Sequence, residues 1–574
     1  MPDAGRDAGA GTRRGRRGAP WSAAARSLSL QFVVASATAL LVTGCADEGG
    51  EPVRGGFSVT YRRVEVSAFA GLEQWRPTRL VDTPCQGNAM DTGGGVVEDV
   101  DGDGLLDIVL PRMRLEPMLL RGRGGFEFAA EPLGGPMDAA GAVVWDATGD
   151  GRRDILLTAM SGPGNRLLVQ QPDGGFNDEA EARGLLGGDA TGTSERCRGY
   201  RSGSLGDVDA DGWIDLYLTR WDLIDSSLAG RLFAGGAEGR FVDITEAAGL
   251  GQLATFGYAA SLEDFDGDGR LDLAVAGDFD TTRIFRGVGG RRFDDVSTAW
   301  GIGTGENGMG ALAADFDGDG DLDWMVTGIA RRGEDASARL VCGIREPACD
   351  GNRLYRNDLP VGFTRVERDA GVDDGSWGWG LARYDADLDG DADLVQATGY
   401  FSPFVEGARP EDVAPFRPYE LDPARLWLND GAWPLREAAA GVGLDHLDEG
   451  RTVIAADFDD DGDLDLLITN SRLPPVIYEA ETTGGTWLSV TLAGPPGNVD
   501  GIGAWVEVTA GGRTQRQQID GNSSYLGHGP REARFTFGTH RALGARVRVT
   551  WPDGSTTERV GVTTGRALRV AWRG

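Results

Sequence analysis

The chain is 574 residues long, too long for a single core, and its 91 Gly and 25 Pro favour many short strands and turns over helices. It carries 89 acidic residues against 56 basic ones, every one of them Arg, for a net charge of −33; this argues against nucleic acid as a partner and suits a cation binder. The absence of Lys excludes a Lys-based P-loop and Schiff-base or pyridoxal-phosphate lysines, and none of the three His (His446, His528, His540) lies in an HExxH pattern.

The N-terminus has the layout of a signal peptide. Arg13, Arg14, Arg16 and Arg17 precede an apolar stretch that is short for a membrane span. The stretch closes in "VTGC", which resembles the bacterial lipobox and implies cleavage before Cys45 and lipidation of its thiol. Residues 1–44 are therefore expected to be a lipoprotein signal peptide and 45–54 a linker. The protein is expected to be exported to the outer membrane or cell surface as a lipoprotein, and otherwise to be secreted. Four cysteines remain, Cys85, Cys197, Cys342 and Cys349, an even count that fits an oxidising compartment. Three pairings exist; proximity favours Cys342 with Cys349, leaving Cys85 with Cys197.

From residue 55 to 481 the chain is a repeat. The pattern D-x-D-x-D-G-x-x-D starts at Asp99, Asp146, Asp207, Asp264, Asp315, Asp385 and Asp457, at intervals of 47, 61, 57, 51, 70 and 72 residues. A small or apolar run precedes each loop ("GAVVW", "GALAA"), and a β-rich run such as "DILLT", "DLYLT" or "DWMVT" follows. A third phrase comes next ("RLLVQ", "RIFRG", "RLYRN"), then a fourth of the type "GRFVDITEAAGL". Four strands per repeat is the blade of a β-propeller. The fourth phrase also occurs before the first loop, from Gly55, and is missing after the seventh. The expectation is a seven-bladed β-propeller in which the N-terminal phrase supplies the outer strand of the last blade and leaves no open edge.

Each loop gathers oxygens suited to a hard cation. Side chains at positions 1, 3, 5 and 9 and the carbonyl of position 7 can converge on one point, and Gly at position 6 permits the turn. The candidate ligands are Asp99, Asp101, Asp103 and Asp107; Asp146, Thr148, Asp150 and Asp154; Asp207, Asp209, Asp211 and Asp215; Asp264, Asp266, Asp268 and Asp272; Asp315, Asp317, Asp319 and Asp323; Asp385, Asp387, Asp389 and Asp393; and Asp457, Asp459, Asp461 and Asp465. Ca²⁺ accepts such flexible all-oxygen loops, whereas Mg²⁺ demands a stricter octahedron, so up to seven Ca²⁺ are expected. An EF-hand is excluded because position 12 is Leu110, Leu157, Leu218, Val275, Val326, Gln396 or Ile468, never Glu. Thr148 in place of a carboxylate marks the second site as the weakest.

These phrases resemble FG-GAP and VCBS repeats of integrin-α-like propellers. Residues 482–574 alternate as strands ("LSVTL", "AWVEVT", "RFTFG", "RVRVTW") separated by turns, the pattern of a small antiparallel β-sandwich. "GIGAWVEV" after Asn498, "FTFG" and "VTWPDG" are similar to the ASPIC/UnbV domain. Together the two parts resemble bacterial relatives of the cartilage acidic protein family, with a departure at "YLGHG" from Tyr525.

The resemblance implies an exported calcium-binding propeller. The first functional reading is a binding or adhesion module at the cell envelope, with an unknown protein or glycan as partner and the membrane reached through the lipid. An envelope assembly scaffold is the alternative, and a glycan- or phosphoester-acting hydrolase or lyase a lesser one, since no nucleophile elbow or metal–His cluster appears and no catalytic residue is assigned. A Pro-rich insertion is expected to expose Tyr400, Phe401, Phe404, Phe416 and Tyr419 for a partner; the competing reading packs them against the blade.

Overall fold

The computed structural model describes residues 58–73, 92–160, 164–187, 199–221, 230–251, 255–303, 306–331, 349–400, 418–538 and 543–573. The described residues all lie in the second of two units, Gly55–Gly574. Among the described residues the second unit is all-β apart from single helical turns. It holds seven antiparallel sheets of the propeller type, followed by a two-sheet C-terminal domain.

Each propeller sheet is built the same way around its Asp loop. In the fourth, the strand Phe256–Glu263 enters the loop, Asp272–Asp278 leaves it, and Arg283–Gly289 and Arg292–Asp295 complete the meander. The strands entering the loops are Val96–Glu98, Met137–Trp145, Tyr200–Gly206, Phe256–Glu263, Ala311–Ala314, Gly378–Tyr384 and Gly450–Ala456. Each packs against the next, and the last against the first, so they line a closed ring. They are rich in Gly and Ala because seven sheets converge here: a Cβ on Gly203 would meet Val143 Cγ2 of the preceding sheet at 2.6 Å.

Two devices tie the ring together. The strand Ser58–Val64 pairs antiparallel with Val476–Thr483 as the outer strand of the last sheet, as the repeat asymmetry requires. It buries Val59 and Tyr61 in the core of the last two sheets, where the Tyr61 hydroxyl bonds that of Tyr384. The threonine that ends "DILLT", "DLYLT", "DWMVT" and "DLLIT" is the second device. Its hydroxyl donates to the inner strand of the following sheet: Thr158 to Arg201 O (2.7 Å), Thr219 to Tyr258 O (3.0 Å), Thr327 to Trp379 O (2.7 Å) and Thr469 to Gly93 O. The last of these joins the seventh sheet to the first.

The C-terminal domain stacks a sheet ordered Glu532–Thr536, Trp487–Ala493, Arg566–Ala571 on one ordered Arg513–Gln518, Trp505–Ala510, Leu543–Thr550, Thr556–Thr563. Its pairing is antiparallel except for Trp487–Ala493 with Arg566–Ala571, which is parallel. Between its strands the segment 519–530 runs as a finger into the propeller ring. It accepts backbone N–H groups from Val97, Ala142, Leu205 and Ala311 at its carbonyls of His528, Leu526, Gly521 and Ser524. Thr452 donates to Tyr525 O at 2.6 Å, and the Tyr525 ring lies 5.2 Å from Trp379. Tyr525 and Leu526 are completely buried. Gly527 is required there: a Cβ would stand 1.7 Å from Gly95 O. No described helix is long and apolar enough to cross a membrane.

Candidate metal centres

The seven Asp loops share one backbone. Gly104, Gly151, Gly212, Gly269, Gly320, Gly390 and Gly462 at position 6 all have φ between 84° and 105°, the left-handed region that glycine enters without a Cβ clash. Position 4 also turns left-handed. It is Gly102, Gly149, Gly267 or Gly318 in four loops, but Ala210 (φ 59°), Leu388 (58°) and Asp460 (62°) in the others. The sequence pattern had left this position unspecified.

The carboxylate at position 1 folds the loop, as where Asp264 accepts Asp268 N (3.0 Å) and Gly269 N (2.9 Å). The position-5 carboxylate accepts the N–H two residues on, as Asp103 does from Leu105 at 2.9 Å. Position 9 has a role that the pattern alone does not reveal. Both oxygens of each of these carboxylates accept backbone N–H groups: Asp107 from Val100 and Gly122, Asp154 from Ala147 and Gln170, Asp215 from Val208 and Gly235. The same holds for Asp272 with Phe265 and Gly287, Asp323 with Phe316 and Asn357, Asp393 with Ala386 and Asn429, and Asp465 with Phe458 and Ala480. One side chain thus staples the loop to the third strand of its sheet, seven times over.

These position-9 carboxylates are nearly inaccessible, and burial pushes Asp154, Asp215, Asp272 and Asp323 up to about 7 and Asp465 to about 8. The backbone N–H groups oppose the shift without cancelling it, and the other loop carboxylates add to it. A cation in the loop would reverse that balance. Ligand atoms of positions 1, 3 and 9 lie within 4.8 Å of one another in Asp99/Asp101/Asp107, Asp207/Asp209/Asp215, Asp264/Asp266/Asp272, Asp315/Asp317/Asp323 and Asp385/Asp387/Asp393. All the donors are oxygens and include three carboxylates, the set a hard divalent cation such as Ca²⁺ takes, so these residues fit the ion. At several loops an arginine already faces the carboxylates. Arg121 pairs with Asp101 at 2.7 Å, Arg286 with Asp266 at 2.5 Å and Asp268 at 2.7 Å, and Arg291 with Asp211 at 2.9 Å. In the second loop Thr148 contributes only a 3.5 Å contact to Asp146, and Arg152 pairs with Asp150.

The C-terminal domain sits on the face carrying these loops. Arg534 donates to Asp457 at 2.9 Å, Thr536 to Asp385, and Arg513 to Asp391 at 2.7 Å.

The aromatic insertion requires a correction. Tyr400 and Tyr419, expected to be exposed, are 4% and 1% exposed. Trp377 stacks on Tyr400 at 3.9 Å and meets Tyr419 edge-on at 5.3 Å, and the Tyr419 hydroxyl donates to Ala330 O. The packing reading holds for these two; Phe401, Phe404 and Phe416 lie outside the described residues. Cys349 is buried and disulfide-bonded, while Cys45, Cys85, Cys197 and Cys342 also lie outside the described residues.

Comparison with known proteins agrees with this architecture. Residues 99–157, 207–275 and 264–326 match the FG-GAP-like repeat, and residues 494–573 match the ASPIC and UnbV family. The chain therefore carries FG-GAP-like repeats folded as a β-propeller and a C-terminal ASPIC/UnbV domain. It is similar to cartilage acidic protein 1 of Xenopus tropicalis, 32% identical over 171 residues, which are 29% of this chain and 25% of that protein's length. Among solved structures it is distantly similar to the BP39L lectin of Burkholderia pseudomallei (TM-score 0.39, 10% identity, 69% of this chain and 98% of that one). A lectin of Agrocybe aegerita described as recognising non-reducing terminal N-acetylglucosamine is another such neighbour (TM-score 0.37, 18% identity, 68% and 99%).

Proposed function

We propose that this protein is an exported, calcium-binding β-propeller of seven blades spanning residues 55–481, capped by the domain at 482–574. It is held at the cell envelope by a lipid on Cys45 and works as a binding or adhesion module for a protein or glycan. The observation that carries the calcium reading is the convergence of positions 1, 3 and 9 within 4.8 Å in loop after loop, with the position-9 carboxylate buried. Three carboxylates this close repel one another, and a divalent cation relieves the repulsion. The loops then serve as rigid scaffolding, and partner contacts fall to the connections on the propeller faces. Equilibrium dialysis with radioactive calcium tests the metal: several equivalents should bind per chain, and none at millimolar calcium would contradict the reading. Palmitate labelling of the wild type but not of Cys45→Ser tests the anchor; an unlabelled wild type would contradict it.

A further inference from the structure

The C-terminal domain closes over the sixth and seventh aspartate loops at their position-6 glycines, whereas in the other five that glycine faces open space. A Cβ would meet nothing within 4 Å at Gly104, Gly151, Gly212, Gly269 or Gly320. At Gly390 it would meet Arg513 Nη1 at 3.0 Å, and at Gly462 it would stand 1.7 Å from Nε1 of Trp487. The seventh loop is therefore pressed against the strand Trp487–Ala493 of the C-terminal domain. The residue that reaches into it is Arg534, on the neighbouring strand Glu532–Thr536.

Arg534 grips the position-1 carboxylate of this loop. Its Nη2 donates to Asp457 Oδ2 at 2.9 Å and to Gly462 O at 2.5 Å, and both side chains are 10% exposed. The guanidinium lies 4.5 Å from the centre of the Trp487 ring. Gln517 fixes the backbone of Arg534: its Oε1 accepts Arg534 N–H at 2.9 Å, and its Nε2 donates to Arg534 O. Arginines paired with the first five loops reach only positions 3 and 5 among the described residues. Arg121 pairs with Asp101, Arg152 with Asp150, Arg286 with Asp266 and Asp268, and Arg291 with Asp209 and Asp211. The charge balance differs in the same way. Burial raises the Asp457 carboxyl, and the charge of Arg534 is the largest influence opposing it. At Asp99, Asp207 and Asp264 the largest opposing influence is the N–H of the position-6 glycine. In the sixth loop Thr536 gives Asp385 a hydroxyl and no charge, and positions 1, 3 and 9 still converge there. A guanidinium and a divalent cation on one buried carboxylate repel each other, so each excludes the other.

We propose that Arg534 is the resident cation of the seventh loop: it takes the place of calcium there and pins the C-terminal domain to the propeller without metal. The inference rests on the calcium reading for the other loops. Equilibrium dialysis with radioactive calcium, at saturation, compares the full mature chain with Arg534→Gln. Removing the guanidinium frees the Asp457 carboxylate, whose Oδ1 is already buried without a hydrogen-bond partner. The variant should therefore bind one calcium more per chain than the wild type. Should it fail to fold, position 3 decides. Asp459→Asn in the otherwise wild-type chain should leave the number bound unchanged, whereas Asp317→Asn, the same position in the fifth loop, should lower it by one. The inference is overturned if folded Arg534→Gln binds no more calcium than the wild type, or if Asp459→Asn loses an equivalent. A wild type that binds no calcium contradicts the calcium reading alone, and an equivalent gained by Arg534→Gln would still carry the inference.

Discussion

Replacing Asp272 separates the structural work of position 9 from any work it does for a metal. Asp272 is fully buried, and its two oxygens accept Phe265 N–H at 3.1 Å and Gly287 N–H at 2.8 Å. Asp272→Ala leaves both buried donors without acceptors, at about 1–3 kcal/mol each, so a loss of roughly 2–6 kcal/mol is expected. Asp272→Asn keeps one acceptor and turns an amide NH₂ toward the other donor, for a loss of about 1–3 kcal/mol. Asp266→Asn, at position 3 of the same loop, breaks only the pair with half-exposed Arg286 and should cost no more than about 1 kcal/mol. The assay is urea unfolding followed by tryptophan fluorescence, in chelator, so that metal plays no part. Were Asp272 a ligand and nothing more, chelator would erase the difference; an Asp272→Ala midpoint matching the wild type within about 0.5 kcal/mol would refute the staple.

The remaining expectations use the same loops and the ring. Ala210 holds a left-handed φ of 59°, which costs an L-residue about 1–2 kcal/mol. Glycine's greater freedom in the unfolded chain returns roughly 0.5–1 of that, so Ala210→Gly should stabilise by about 0.5–1 kcal/mol, and a lowered melting midpoint would count against the strain. The raised carboxylates set the pH response in chelator. Asp154, Asp215, Asp272 and Asp323 hold protons up to about pH 7 when folded, against the ordinary aspartate value of 3.8. The native state therefore binds more protons than the unfolded chain between about pH 4 and 7, and stability should fall as pH rises through that window. A metal-free protein that gains stability from pH 5 to 7 would contradict those shifts. Deleting 55–70 removes the strand that pairs with Val476–Thr483 and should produce aggregation or a large drop in melting midpoint, through an unpaired sheet edge; an unchanged midpoint would show that the ring does not depend on it.

Much of the fold was legible because its determinants are local and repeated. The spacing of aspartates marks the loops, and the fourth-strand phrase at Gly55 without a counterpart after Asp457 foretells the pairing of Ser58–Val64 with the last sheet. What escaped is either conformational or long-range. Position 4 is left-handed in every loop, but Ala210, Leu388 and Asp460 hide the glycine preference that would have signalled it. The pattern shows a carboxylate at position 9 but not its partners on the next strands, so its second role as a staple is invisible in the sequence. The threonines ending the second strands carry no local signal of their role, since each bonds a neighbouring sheet some 40–50 residues away or, for Thr469, at the other end of the chain. The finger at 519–530 has no periodicity, and all its anchors lie in other sheets; the glycine of "YLGHG" was its one local trace. Tyr400 and Tyr419 looked exposed because their Pro-rich setting is loop-like, whereas Trp377 supplies the surface that buries them.

If the aspartate loops hold calcium, the propeller should be stabilised by it. Sites of extracellular type, with dissociation constants of about 0.1–1 mM, each add roughly 1 kcal/mol at millimolar calcium. The direct measurement is the melting midpoint of the mature chain in a few millimolar calcium and in chelator. The account predicts a clear rise with calcium, since several sites contribute together. A midpoint unchanged within a degree or two would contradict it.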